Sequence, residues 1–226
     1  MTHLLQGLRI VVTQAEDFMG PALCQVLSLH GATVLADSRE LHRHDAPREL
    51  VQSHGHIDVL VANLAMAAPS TLATEVQDAE WSKVFDVMVH PLPRLLREVV
   101  PQMQSRGRGK FLVMGSASAL RGMKRASSYS AARGAQLAWV QAVGVELAAL
   151  NIQVNAIAQN FVENPTYFPP EVQANPRFVE RLQREVPLGR LVKAEEDAEF
   201  AAYLCSNKAD CFVGQVFPVC GGWVQR

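Results

Sequence analysis

The chain reads Lys110-Phe-Leu-Val-Met-Gly-Ser116 and, after a short connection, Ser127-Ser-Tyr-Ser-Ala-Ala-Arg133. The first stretch is a continuous apolar run, the pattern of a strand buried on both faces. The second opens a helical stretch that runs on to Leu150. Tyr129 and Arg133 stand four residues apart, so both side chains share one helix face, one turn apart. Ser116 lies thirteen residues before Tyr129, just past the apolar run.

Outward from this unit the same alternation repeats. Strand candidates are Leu8–Thr13, Ala32–Ala36, Ile57–Ala62, Gly109–Met114, Ile152–Ile157 and Gly214–Cys220. Helical patterns fill the intervals at Gly20–Gly31, Ala79–Arg106, Ser127–Leu150 and Ala194–Ser206. Strands alternating with helices imply βαβ units, and right-handed crossovers build from them a doubly wound parallel sheet with helices on both faces. The expectation is a single-domain α/β fold of Rossmann type over residues 1–226, with no repeat, linker or low-complexity tract. The irregular, Pro-rich stretch Asn160–Pro187 follows the fifth strand. It should overhang the carboxyl edge of the sheet, where such folds bind ligands.

The totals exclude several classes. With 226 residues, 49% hydrophobic and 19% charged, the chain supports one full core and is not disordered. A net charge of -1 without a basic stripe argues against nucleic acid as partner. The apolar runs are too short to span a bilayer, and Met1-Thr-His-Leu-Leu-Gln-Gly7 has no secretory pattern, so the expected location is cytoplasmic. Cys24, Cys205, Cys211 and Cys220 lack short paired spacing and read as ordinary buried thiols. His54 and His56 sit in a loop-like stretch without partner ligands, so no metal is expected.

The turn after the first strand decides the cofactor question. Doubly wound nucleotide-binding folds place glycines there, so that a pyrophosphate can approach the backbone and the next helix N-terminus. Here the turn is Thr13-Gln-Ala-Glu-Asp-Phe-Met-Gly-Pro21, with Gly20 its single glycine. Phe18 sets an aromatic ring in the dinucleotide's path, and Glu16 and Asp17 oppose phosphate by charge. Asp37, which would contact an adenosine ribose in a dinucleotide enzyme, then reads as a turn or capping residue.

The triplet carries the chemistry. A tyrosine acting as a base near neutrality needs its ordinary value of ~10 lowered by roughly 2–3 units, about 3–4 kcal/mol of preference for phenolate. A nearby cation supplies about 1–3 units, and Arg133 stays charged at any working pH. Ser116 can donate to or accept from a substrate oxygen. It is a poor nucleophile candidate, because no His-carboxylate relay stands in a recognisable place. Singly, Ser116 also reads as a strand-end cap, Tyr129 as a half-buried aromatic and Arg133 as a solvated helix residue. Together they read as a proton-transfer device.

These residues carry a family resemblance over nearly the whole chain. The fold with Ser116 and Tyr129 resembles the short-chain dehydrogenase/reductase superfamily, which normally carries Lys where this chain has Arg133. Ser-x12-Tyr-x3-Arg, Thr13-x4-Phe18 and Asn160-Phe-Val-Glu-Asn-Pro-Thr-Tyr-Phe-Pro169 are similar to the halohydrin dehalogenases. Those enzymes are a branch of the same scaffold that uses no nicotinamide.

The resemblance implies that Tyr129, held as phenolate by Arg133, deprotonates a vicinal haloalcohol whose oxygen Ser116 orients. The alkoxide then closes an epoxide and expels halide. In reverse, azide, cyanide or nitrite opens the ring. The halide or substrate would lie in a loop region of about 158–187, against Phe18, Gln159, Asn160, Phe161 and Phe168, with backbone N–H groups binding the anion. Ala158-Gln159-Asn160 departs from the Gly-Pro-Asn usual after the fifth strand: Gln159 keeps an N–H that Pro lacks and has the bulk to reshape that pocket, which leaves the halide preference open. Phe161, Tyr167 and Phe168 read equally well, each taken singly, as simple loop packing. A homotetramer joined through Ala79–Arg106 and Ser127–Leu150 is implied, and the apolar content of Ala131–Leu150, including Leu137, Trp139, Val140 and Leu147, is compatible with a face beyond the monomer core without establishing one. A chain ending at Arg226 would leave the site more open. The competing readings are an atypical NAD(P)-dependent short-chain oxidoreductase and a non-catalytic scaffold protein.

Overall fold

The computed structural model describes residues 3–225; Met1, Thr2 and Arg226, parts of the terminal readings, lie outside the described residues. Six parallel strands form one sheet in the order β2-β1-β3-β4-β5-β6. They are β1 (Arg9–Thr13), β2 (Thr33–Asp37), β3 (Val59–Ala62), β4 (Gly109–Ser116), β5 (Ile152–Gln159) and β6 (Val216–Val219). The helices are α1 (Gly20–Leu29), α2 (Ala46–His54), α3 (Asp78–Met88), α4 (Pro91–Ser105), α5 (Ser127–Leu147), α6 (Pro170–Gln173), α7 (Pro176–Glu185) and α8 (Ala194–Cys205).

The period-two alternation of the strands sorts the core into two layers. Phe111, Val113, Val154 and Ala156 face α2, α4 and α5, whereas Leu112, Met114 and Ile157 face α1 and α8. Every residue of β3 is buried, as a central strand covered on both sides requires. Gly144 of α5 lets that helix approach the sheet: a Cβ there would stand 2.5 Å from the Gly214 Cα and 2.9 Å from the Val154 carbonyl oxygen. The strand order reverses between β1 and β3, so their carboxyl ends form the switch-point crevice where such sheets take ligands.

Several sequence expectations change. The helix expected over Ala79–Arg106 is two, broken at Val89–His90, because Pro91 has no N–H to continue the ladder and starts α4 instead. The stretch Asn160–Pro187 is not wholly irregular: Pro170 and Pro176 occupy first-turn positions of α6 and α7, and the Asn175 side chain caps α7 by accepting from the Arg177 N–H at 3.0 Å. His54 ends a helix, α2, that its polar sequence concealed. Leu137, Val140 and Leu147 do not form an outer face; they are buried in the monomer core, and Trp139 packs edge-on against Phe111. Among the four cysteines only Cys205 and Cys220 are buried, whereas Cys211 is exposed and Cys24 half-buried. Among the described residues, no helix is long and apolar enough to cross a membrane.

Candidate active site

Ser116 ends β4 and Gln159 ends β5, and the two are register partners in the sheet. Tyr129 and Arg133 lie on the first turns of α5. The Ser128 hydroxyl donates to Glu80 at 2.5 Å and the Thr71 hydroxyl to the same carboxylate at 2.6 Å, which ties the head of α5 to α3. Phe18 comes from the loop after β1, and Asn160, Phe161 and Phe168 from the segment after β5. Apart from Thr71, Glu80 and Ser128, all of these residues line one cavity of about 310 Å³.

Arg133 is not solvated: it is 3% exposed. Its Nη1 donates to the carbonyls of Leu64 and Met114, each at 3.1 Å, and to Gln136 Oε1 at 2.9 Å. Gln136 donates in turn to the carbonyls of Met88 and Leu64, at 2.7 and 3.3 Å. These acceptors are all neutral, so the guanidinium keeps its full charge in a poorly solvated place. It lies over the Tyr129 ring, with Cζ 5.0 Å from the centroid. The sequence suggests a cation beside the phenol; the fold sets it against the ring face, where it attracts the π-electrons as well as any negative charge on the oxygen. Ser116 Oγ shares a hydrogen bond with Ser118 Oγ at 3.0 Å and accepts from the Ser118 N–H at 3.2 Å, capping the turn Ala117–Ala119. Its strand-end capping role and its place on the cavity wall therefore coexist.

The loop after β1 keeps the backbone of a glycine turn without the glycines. Gln14 and Phe18 have φ of 44° and 51°, the left-handed region that favours glycine. Holding L-residues there costs about 1–2 kcal/mol each. The Gln14 side chain offsets part of this by donating to the Ala65 carbonyl at 3.0 Å and accepting from the Ala65 N–H at 2.8 Å. Asn63 Nδ2 donates to the Gln14 and Asp17 carbonyls at 3.0 Å, tying the loop to the end of β3. Gly20 must remain glycine, since a Cβ would collide with the Gln14 and Ala15 carbonyls. Asp37 is engaged by Arg39 and by His54 Nε2, at 2.8 and 2.9 Å. Burial works against its ionisation, but the hydrogen bonds from Arg39 and His54 hold its carboxyl below the usual range.

On the opposite wall, Gln159 Nε2 donates to Asp197 Oδ2. Asp197 is completely buried in the first turns of α8, and its Oδ1 has no partner among the described residues. Burial pushes this carboxyl up to about 7, against the Gln159 hydrogen bond, which lowers it. The expectation of free backbone donors here is corrected at two positions. The Asn160 N–H is bound to the Val219 carbonyl at 3.1 Å, and the Phe161 N–H to Asn160 Oδ1 at 2.9 Å. Phe161 has φ 51°, which turns its N–H back onto the preceding side chain.

Tyr167 also lines the cavity. Its hydroxyl is 3.4 Å from the Tyr129 hydroxyl, donates to the Met66 carbonyl at 2.8 Å and accepts from the Ala68 N–H at 3.2 Å. Its ring packs against Phe18 with centroids 5.8 Å apart. The sequence offers no periodic signal for this contact, because Tyr167 sits in a loop 38 residues from Tyr129.

The profile of the family described as "Enoyl-(Acyl carrier protein) reductase" matches residues 5–224. Cis-4-hydroxycyclohexanecarboxylate dehydrogenase of Sinomonas cyclohexanicum is 31% identical, over 94% of this chain and 95% of its own length. A solved structure titled "Dehalogenation enzyme" is 32% identical with a TM-score of 0.90, covering 98% of this chain and 100% of that one. Halohydrin dehalogenase (HheC) bound to ethyl (2S)-oxiran-2-ylacetate is 26% identical with a TM-score of 0.85, covering 96% and 98%. A profile match over nearly all of the chain, a dehydrogenase relative and two solved structures of similar fold lead to one conclusion: the chain belongs to the short-chain dehydrogenase/reductase superfamily.

Proposed function

We propose that this protein is a halohydrin dehalogenase, a carbon–halide lyase that works without nicotinamide. The observation that carries the reading is the loop after β1, where Gln14 and Phe18 hold glycine-like backbone angles but carry side chains, Gln14 bound to the Ala65 backbone and Phe18 on the cavity wall, in the turn a dinucleotide would have to approach. Arg133 in the place of the superfamily's usual Lys agrees with it independently.

In the forward reaction Tyr129, as phenolate, takes the proton of a vicinal haloalcohol hydroxyl while Ser116 holds that oxygen. The alkoxide attacks the neighbouring carbon from behind, the new C–O bond closes the epoxide, and the carbon–halogen pair leaves with the halide. In reverse, a small anion such as azide, cyanide or nitrite opens the ring and Tyr129 returns the proton. Arg133 stabilises the phenolate through space, and its neutral partners leave that charge uncompensated. Phe18 of the loop after β1, with Gln159, Asn160, Phe161 and Phe168 of the region of about 158–187, surrounds the halide and carbon skeleton. With the Asn160 and Phe161 N–H groups engaged, an anion must displace the Asn160 side chain to gain the Phe161 donor. The same reading carries a cytoplasmic homotetramer, with the exposed Trp81 of α3 and Val145 of α5 on the faces that meet.

A crystal soaked in bromide tests the site: anomalous density beside Phe18 and the Asn160 loop is the outcome expected. The second reading, an atypical NAD(P)-dependent oxidoreductase, is favoured by the dehydrogenase relative. It requires NADH or NADPH to raise the melting temperature, and the filled loop predicts no rise.

A further inference from the structure

The Tyr129–Arg133 pair leaves one need unmet. Arg133 lies against the ring face, with its Nη1 engaged by three neutral acceptors and its Nε unpartnered, and among the described residues no hydrogen bond runs from the guanidinium to the Tyr129 hydroxyl. The nearby hydroxyl on the cavity side belongs to Tyr167. We propose that Tyr167 is a positioning residue for the base, accepting from the Tyr129 hydroxyl when it is protonated and donating to it when it is ionised. This rests on the proposed function for its role in turnover, but not for its effect on Tyr129 ionisation.

The geometry fits both states. Tyr167 has one proton, and with Tyr129 protonated that proton goes to the Met66 carbonyl, which can only accept. The Tyr167 oxygen then offers a lone pair to Tyr129, while the Ala68 N–H fixes its position. Once Tyr129 is ionised, rotation about the Tyr167 C–O bond swings the proton from Met66 to the phenolate. A charge-assisted hydrogen bond is roughly twice as strong as a neutral one, so the exchange favours phenolate.

A proton relay through Tyr167 fails on the same observations. Relaying would require Tyr167 to lose its proton, yet burial, and then the charge and hydrogen bond of Tyr129, hold its hydroxyl far above the ordinary phenol range, with Arg133 pulling weakly the other way. Its other partners are a carbonyl and an amide N–H, which pass no proton to solvent. From α5 it faces Tyr129 and Arg133; from the loop after β3, the Met66 carbonyl and the Ala68 N–H; from the loop after β1, the Phe18 ring; from its own segment, the Phe168 ring. Tyr167 stays neutral and supplies a donor.

The chain has three tyrosines, which makes the test direct. In a Tyr203→Phe background, ultraviolet difference titration follows tyrosinate formation, and Tyr129→Phe identifies the step due to Tyr129. Tyr167→Phe removes one oxygen and keeps the ring contacts with Phe18 and Phe168. It should move that step to higher pH by about one unit, a tenfold change. The acid limb of kcat/KM for halide release should move the same way, with kcat reduced about tenfold at neutral pH and bromide affinity unchanged. A step that stays in place or moves to lower pH overturns the proposal. If Tyr167→Phe does not fold, Tyr167→His, which retains a donor, must leave the step within half of that shift; a larger shift also overturns it. A moved step in a protein that releases no halide would instead contradict the dehalogenase reading and leave the Tyr167 role standing.

Discussion

Asp197 is a carboxyl that the fold would rather keep protonated. Its value rises from 3.8 to about 7 because it is wholly buried, and one oxygen has no partner among the described residues. A group that binds its proton more tightly folded than unfolded stabilises the fold fully below about pH 4. That stabilisation fades as pH rises through the folded value near 7. Asp197→Asn keeps an acceptor for Gln159 and removes the charge. It should therefore match or fall slightly below wild type at pH 4 and exceed it at pH 8 by about 1–3 kcal/mol, the range for relieving an unsatisfied buried group. Melting curves at the two pH values check this, and an equal loss at both would contradict it. At this scale the sequence was most legible where spacing did the work. Tyr129 and Arg133 share a helix face whatever the rest of the fold does. The burial of Arg133 beneath the ring, and the Tyr167 and Asp197 contacts, depend on chain segments far apart in sequence, which no local period reports.

Among the elements, the loop after β1 is the one whose departures matter most. Phe18 is strained by its φ but packs against Tyr167 and forms part of the cavity wall. Phe18→Gly should relieve about 1 kcal/mol of backbone strain and lose a comparable amount of ring packing, leaving the melting temperature within a few degrees of wild type. The cavity would open at that wall, and bromide or azide affinity should weaken about tenfold, near 1.4 kcal/mol. Isothermal titration reads this directly; unchanged anion affinity would remove Phe18 from the site. The loop was legible because a missing glycine is a backbone statement. The segment 160–187 was less so, because proline can break a helix or begin one. Pro170 and Pro176 begin them, and only the following turns distinguish the cases.

For the whole molecule, alternating strands and helices sufficed to read the doubly wound sheet, since each strand's apolar run and each crossover length point the same way. The assembly was not legible in this way. Leu137, Val140 and Leu147 satisfy their apolar surface inside the monomer, which leaves Val145 at 72% exposed and Trp81 at 45% as the large apolar groups on α5 and α3. A tetramer built on those faces has a mass about four times 24.8 kDa in sedimentation equilibrium, and Val145→Glu should shift it towards smaller species. A monomer at micromolar concentration would contradict that assembly.

On the proposed function, Tyr129 and Arg133 drive an internal displacement without a nicotinamide. Halide release from 1,3-dichloro-2-propanol, with no dinucleotide present, tests it most directly in wild type and in Tyr129→Phe. Wild type should release halide steadily, and the variant should lose at least about a hundredfold, the scale of general-base catalysis. No halide from wild type with this or any other vicinal haloalcohol, or turnover by Tyr129→Phe at the wild-type rate, would contradict it.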